Sequence, residues 1–134
     1  GFGMGISAGY IQANHINSHT IVECHPQILE KAKEWAKGKP NVIIIEGEWY
    51  EVRDSLSTYD GIFYDTYGED DWSLFGNTIA SLSKPGTKVT WWNNNPNTST
   101  VQDIDGVEYE VIDVNPPLNG YFNSTKYYLP KKEY

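Results

Sequence analysis

Residues 19–46 read HTIVECHPQILEKAKEWAKGKPNVIIIE, and this stretch decides the fold class. HTIVEC (19–24) is a short apolar run closing on an acid, the pattern of a buried strand. Over 26–37 the apolar residues fall at Ile28, Leu29, Ala32, Trp35 and Ala36, which is helical spacing. Pro26 suits the first helical turn, and Gly38 with Pro40 suits the stop. VIIIE (42–46) is continuous and β-branched, the composition of a strand buried on both faces. A strand, a helix and a second strand in this space predict a parallel crossover unit.

Outward from this unit the alternation continues. Residues 6–14 predict a helix before it. After it the pattern predicts a short helix over 49–56, a strand over 60–65 (DGIFYD), a helix over 71–82 and a Lys84-Pro85-Gly86 turn. TKVTWW (87–92) then predicts a strand, and 106–114 and 124–129 alternate as two more around an Asn119-Gly120 turn. Such an order implies a mainly parallel sheet with helices on both faces and an antiparallel ending. Ligands of such sheets sit at the carboxyl ends of the strands.

The chain has 134 residues, about one domain's worth. Lys and Arg total 10 against 18 Asp and Glu, a formal charge of −8. That argues against nucleic acid or an anionic membrane as a partner, since both need a basic footprint. No apolar run approaches the roughly 18 residues of a membrane span. Cys24 is the single cysteine, so no internal disulfide is available, and no Cys/His spacing resembles a zinc site. A cytoplasmic setting is the expectation.

Candidate binding residues fall at the predicted strand ends. Gly1, Gly3 and Gly5 precede the first helix, where glycines permit a tight turn and close backbone approach to a ligand. Alternate glycines resemble the S-adenosylmethionine loop of class I methyltransferases, while GMGISA (3–8) also satisfies the dinucleotide form GxGxxA. Glu23, 18 residues past Gly5, can accept from the ribose hydroxyls of a nucleoside under either reading. His25 is a weaker candidate. Backbone N–H or the Glu48 side chain can read the edge of an adenine ring, and Trp49 can supply stacking or a pocket wall. Asp65 closes the DGIFYD strand, where a carboxylate can bind a cation or take its proton. Tyr64, Thr66 and Tyr67 add hydroxyls and ring faces beside it. Trp91 and Trp92 read as core or pocket wall, and Asn93 and Asn94 as loop-forming. The aromatic cluster Tyr121, Phe122, Tyr127 and Tyr128 packs an edge strand or an interface, which leaves a homo-oligomer open.

GFGMG, IVEC, the GEW segment, DGIFYDTY and LSKPGTKVT, in this order and spacing, resemble guanidinoacetate N-methyltransferase and its relatives. The resemblance runs from residue 1 to about 92, and DGIFYDTY is its specific part. It implies a Rossmann-like class I methyltransferase fold, a three-layer α/β sandwich with a mainly parallel sheet and antiparallel C-terminal strands. It implies S-adenosylmethionine as cofactor and a small-molecule guanidino or amino acceptor. Gly1, Gly3 and Gly5 would then lie against the methionine portion, Glu23 would hold the ribose, and Glu48 and Trp49 would border the adenine. Asp65 would be the catalytic carboxylate that binds the acceptor and helps remove its proton, with Thr66 and Tyr67 beside it.

Set against the family, the sequence from Gly1 leads to the expectation that the N-terminal covering segment and most of the first strand have no counterpart here. The expectation is one methyltransferase-like domain over 1–134, N-terminally truncated, with that strand absent or supplied by a partner chain. Two competing readings are a non-catalytic binding or assembly module and an NAD(P)-binding oxidoreductase fragment. The second leaves DGIFYDTY unexplained.

Overall fold

The computed structural model describes residues 1–66, 71–93, 101, 104–116 and 124–134. The chain divides into two compact units, Gly1–Leu56 and Ser57–Tyr134.

The first unit holds helix α1 (Ile6–Gln12), strand β1 (His19–Glu23), helix α2 (Pro26–Ala36) and strand β2 (Val42–Glu46). β1 and β2 pair in parallel, from His19 opposite Val42 to Glu23 opposite Glu46. This is the crossover expected from residues 19–46. Pro26 stands in the first turn of α2, where its missing N–H costs nothing. Gly38 follows the helix with φ +76°, a left-handed conformation open to glycine. The core is Phe2, Ala8, Ile21 and Ala32, with Ile28, Trp35, Val42 and Ile44 packed against it. The Phe2 and Trp35 rings meet at 5.4 Å with a 53° tilt. Burying each large apolar side chain contributes about 1.5–3 kcal/mol.

A polar network crosses this unit. Gln12 Nε2 donates to Asn41 Oδ1 at 2.6 Å, and Gln12 Oε1 lies 3.3 Å from His19 Nδ1. Asn41 Nδ2 donates to the Ile16 carbonyl. The end of α1 is thus tied to the starts of both strands. Burial lowers the pKa of His19, so the ring is held neutral in this setting.

The second unit contains β3 (Tyr59–Tyr64), α3 (Asp71–Thr78), β4 (Ser83–Trp91), β5 (Glu108–Asp113) and β6 (Lys126–Glu133). Its sheet runs β3-β4-β6-β5. β3 and β4 are parallel, and the β4–β6 and β6–β5 pairs are antiparallel. The parallel start and antiparallel ending follow the expectation. Phe75, Ile79, Val89 and Trp91 form its buried centre. Phe75 stacks on Tyr64 at 3.9 Å and meets Trp91 edge-on at 6.4 Å, which places α3 over the face those two strand residues share.

Four local expectations are corrected. Residues 49–56 form turns and one 3-10 turn at Arg53–Ser55, not a helix. The helix over 71–82 divides into α3 and a 3-10 segment, Ile79–Leu82. Lys84-Pro85-Gly86 lies within β4 rather than before it. There Gly86 takes φ +90°, and the buried Thr87 hydroxyl donates to the Tyr59 carbonyl and accepts from the Lys84 N–H. β2 is not buried on both faces: it pairs with β1 alone among the described strands, and Ile43 is half exposed. The Asn119-Gly120 turn lies outside the described residues.

Candidate functional site

In the first unit the glycine turn wraps onto the end of β1. Gly3 has φ +55° and Gly5 φ +78°. The Gly5 N–H donates to the Phe2 carbonyl, closing the turn, and the Gly5 carbonyl accepts from Gly9 to start α1. A Cβ at Gly5 would lie 2.6 Å from Phe2 Cζ, whereas one at Gly3 would meet nothing within 4 Å. Gly5 is therefore required by the fold of the turn, and Gly3 leaves its backbone approachable from outside.

Glu23 is 8% exposed and holds the turn in place. One carboxylate oxygen accepts from the Phe2 N–H at 2.6 Å. The other accepts from the N–H groups of Cys24 and His25 at 3.1 and 3.0 Å. Burial pushes this carboxyl upward, but the hydrogen bonds from His25 and Phe2, the charge of the Gly1 amine and the bond from Cys24 together outweigh it, and the net shift is below the ordinary value. Glu23 is an ionised anchor at the strand end where a ribose ligand was expected.

Glu48 comes to the same end of the sheet. The Gly47 N–H donates to the Glu23 carbonyl and ties the two strand ends together. Gly47 has φ +142°, and a Cβ there would lie 2.6 Å from Val52 Cγ1. Glu48 is exposed and near enough to the Cys24 thiol to influence its titration. Burial first, then Glu48 and the charge of Glu23, push the Cys24 thiol up, so it stays protonated and weakly nucleophilic. Trp49 is half-buried and meets Tyr50 edge-on at 5.4 Å. Beside the turn, Phe2, Gly3, Met4, Ile28, Lys31 and Trp35 line an open groove of about 340 Å³.

In the second unit Asp65 is exposed just beyond the carboxyl end of β3, with Thr66 half-buried after it. The Trp92 N–H donates to the Tyr64 carbonyl at 3.1 Å, carrying the β3–β4 pairing one step beyond Trp91. Trp92 stacks on Tyr127 of β6 at 5.2 Å and 22°. The Asn93 N–H donates to Tyr127 Oη at 2.9 Å, and Asn93 Nδ2 donates to the Tyr128 carbonyl at 3.1 Å. Burial, chiefly, and the charge of Asp65 push the Tyr127 phenol above its ordinary value, although the Asn93 N–H pulls the other way. Tyr67 and Asn94 lie outside the described residues.

Residues 1–95 match the model of the family described as guanidinoacetate N-methyltransferase. The chain belongs to that family. It is 34% identical to protein arginine N-methyltransferase 2 of Kluyveromyces lactis over 98% of this chain and 39% of that protein. The chain thus spans about two fifths of the length of the first curated relatives it matches. Among solved structures, precorrin-6y C5,15-methyltransferase of Geobacter metallireducens aligns with a TM-score of 0.65 at 18% identity, over 85% of this chain and 65% of that one. Fibrillarin of Aeropyrum pernix, solved with natively bound S-adenosyl-L-methionine, aligns at 0.59 and 12% identity, over 85% and 54%. The fold is the Rossmann-like α/β fold of these methyltransferases.

Within this family's framework the structure gathers Gly3, Gly5, Glu23 and Glu48 at one end of the β1–β2 sheet. In the other unit, taken by itself, Asp65 follows the carboxyl end of β3. Three contributors were not singled out from sequence. Phe2 looks like a spacer between glycines, yet it is 6% exposed and supplies the shortest hydrogen bond to Glu23. Cys24 gives a backbone N–H to Glu23. Tyr127, read only as part of an aromatic cluster, closes onto Trp92 and Asn93. Only the burial of Phe2 had a local signal: an aromatic among glycines needs a core to enter.

Proposed function

We propose that this chain carries the donor-binding and acceptor-binding residues of an S-adenosylmethionine-dependent N-methyltransferase whose acceptor is a guanidino nitrogen. The observation that carries this reading is the carboxylate of Glu23, clamped to a left-handed glycine turn at a parallel strand end. The family match and the arginine methyltransferase relatives support the transferred group and the acceptor type. Guanidinoacetate and a protein arginine share the guanidino head, so the same chemistry serves either.

The residues present fit such a donor. Gly3 offers open backbone, and Glu23 offers an ionised carboxylate beside it. A carboxylate has about four acceptor positions; three are taken, leaving one for a ribose hydroxyl. A second hydroxyl would enter only as one backbone N–H is released. Glu48 and Trp49 would border the base. When bound, the donor supplies an electrophilic methyl group on a sulfonium. Most of the rate then comes from holding nitrogen and methyl close and in line. Asp65 would accept a hydrogen bond from the guanidino group and take the proton its nitrogen loses as the new N–C bond forms. The S–C bond breaks in the same step, and the donor leaves as a neutral thioether.

Transfer of a radiolabelled methyl group to guanidinoacetate, and in a parallel arm to an arginine peptide, tests the reading. The expected result is transfer to at least one of them, reduced about 100-fold or more in Asp65→Asn, the scale of lost general-base help. Calorimetry should show S-adenosylhomocysteine binding in both proteins. Unchanged turnover in Asp65→Asn removes that residue from the mechanism. Homocysteine-compound binding without transfer to either acceptor would favour the non-catalytic module. Tight NAD binding without it would overturn the donor assignment.

A further inference from the structure

Trp92, Tyr127 and Asn93 form an assembly that the proposed chemistry leaves unused. Tyr64 and Trp91 are register partners on β3 and β4, and both turn inward against Phe75. Side chains alternate along strands, so the next residues, Asp65 and Trp92, leave that face together. Both are exposed, Trp92 at 45%. Neighbouring parallel strands lie about 4.8 Å apart, which makes a carboxylate and an indole close companions at the strand ends.

The indole also has an aromatic neighbour. It stacks on Tyr127, whose ring comes from β6, and Tyr127 Oη accepts from the Asn93 N–H. Asn93 is 2% exposed and braces the same strand through the Tyr128 carbonyl. A single exposed aromatic is ordinary on a protein surface. Here it is stacked, braced from two strands and set beside an anion. Burial is the main cause that raises the Tyr127 phenol, and the charge of Asp65 adds to it in the same direction.

A carboxylate attracts cations at its oxygens, and a ring face attracts them through its quadrupole. A guanidinium satisfies both at once. It is planar, so it can lie on a ring while its N–H edge points in plane toward a carboxylate. An ammonium is a compact, strongly hydrated point charge and gains less from a flat shelf.

We propose that Trp92, backed by Tyr127, is an aromatic shelf that receives the guanidinium plane of the acceptor while Asp65 takes its edge. This rests on the reading of Asp65 as the acceptor carboxylate. Trp92 would make the site selective for a planar cation over an ammonium or a neutral isostere.

The test titrates the full chain with N-acetyl-arginine methylamide, the matching lysine compound and the citrulline compound, which keeps arginine's shape without its charge. The Trp92 indole N–H signal, assigned by its loss in Trp92→Phe, is followed by NMR. The arginine compound should shift that signal, with lysine weaker and citrulline inert. Trp92→Leu should weaken arginine binding about 5- to 30-fold, the scale of a partly desolvated cation–π contact. Trp92→Phe, which keeps a ring on Tyr127, should lose less. S-adenosylhomocysteine affinity should stay the same in both variants, showing that they fold. Equal binding of citrulline, or unchanged arginine affinity in folded Trp92→Leu, overturns the shelf. If Asp65→Asn weakens arginine binding while Trp92→Leu does not, the acceptor reading stands and the shelf alone falls. If Asp65→Asn leaves arginine binding unchanged, the acceptor reading falls, and with it the shelf as an acceptor site.

Discussion

Glu23→Gln removes one charge and almost no volume, and its cost can be worked from three hydrogen bonds. In the parent, the Phe2 N–H reaches one oxygen at 2.6 Å, and the Cys24 and His25 N–H groups reach the other. The amide has one oxygen. Set toward Cys24 and His25, it keeps two bonds but converts them from charged to neutral acceptors, losing about 1 kcal/mol between them. Its NH₂ then faces the Phe2 N–H, donor against donor, in a buried site. An unsatisfied buried donor costs about 1–3 kcal/mol. The expected loss is about 2–4 kcal/mol at pH 7, read by urea unfolding with tryptophan fluorescence, since Trp35 packs on Phe2. The pH dependence supplies a second check. The carboxyl sits below its ordinary value of 4.5 in the folded chain. Between that value and the lower folded one, the unfolded chain takes up the proton and the folded chain does not. Stability from Glu23 is therefore full above about 4.5 and drains away on acidification through the folded value. Below it, a protonated Glu23 resembles Gln, and the gap between parent and variant should narrow. A gap under about 0.5 kcal/mol at pH 7, or one of constant size from pH 7 to pH 3, would refute the anchor.

Two further outcomes follow from the same unit. Gly5→Ala should cost about 2–4 kcal/mol, combining left-handed strain at φ +78° with a Cβ 2.6 Å from Phe2 Cζ, whereas Gly3→Ala carries the strain alone at about 1–2 kcal/mol; equal losses in thermal unfolding would show that Phe2 is not fixed there. Burial lowers the His19 pKa, so its contribution is full above the ordinary 6.5 and is lost as pH falls from there through the folded value. His19→Gln should flatten the stability profile in that window, which opens at a higher pH than the one set by Glu23, and a profile with the parent's slope would exclude His19 as its source.

The parallel crossover was legible because residues 19–46 carry three independent signals: apolar runs, helical spacing, and Pro and Gly at the helix ends. The errors fell where local chemistry was overridden. Lys84-Pro85-Gly86 has turn composition, yet the Thr87 hydroxyl and the C-terminal residue hold it in strand: the Gly86 N–H donates to the Tyr134 carbonyl. No local rule reveals a partner 48 residues away. β2 has the composition of a doubly covered strand, but composition cannot say how many neighbours a strand has. Glu23 and Asp65 were legible as candidates because each closes an apolar run at a predicted strand end. What hid was the company they keep. Phe2 contributes a backbone N–H, which no side-chain pattern encodes, and Tyr127 reaches Asn93 across two strands joined by a long connection.

If Glu23 also holds the ribose proposed above, its existing hydrogen bonds constrain the fit. Three backbone donors leave one acceptor position on a carboxylate that two ribose hydroxyls would share. The bonds from Cys24 and His25 are local, made by the residues that lead into α2, and breaking them would disturb the start of that helix. The bond from Phe2 joins segments 21 residues apart and depends only on the glycine turn. A second hydroxyl therefore competes most readily with Phe2. Gly3, left-handed and open to solvent, lets the turn move without displacing a side chain at that position. Phe2 resists, because its ring is buried against Trp35 and against the space that Gly5 vacates. Donor affinity should then depend on how firmly Phe2 is packed. Phe2→Leu, which loosens the ring contact without touching the N–H, should change S-adenosylhomocysteine affinity, although Phe2 need not touch the ligand. Unchanged affinity would mean that the ribose uses only the position Glu23 already has open.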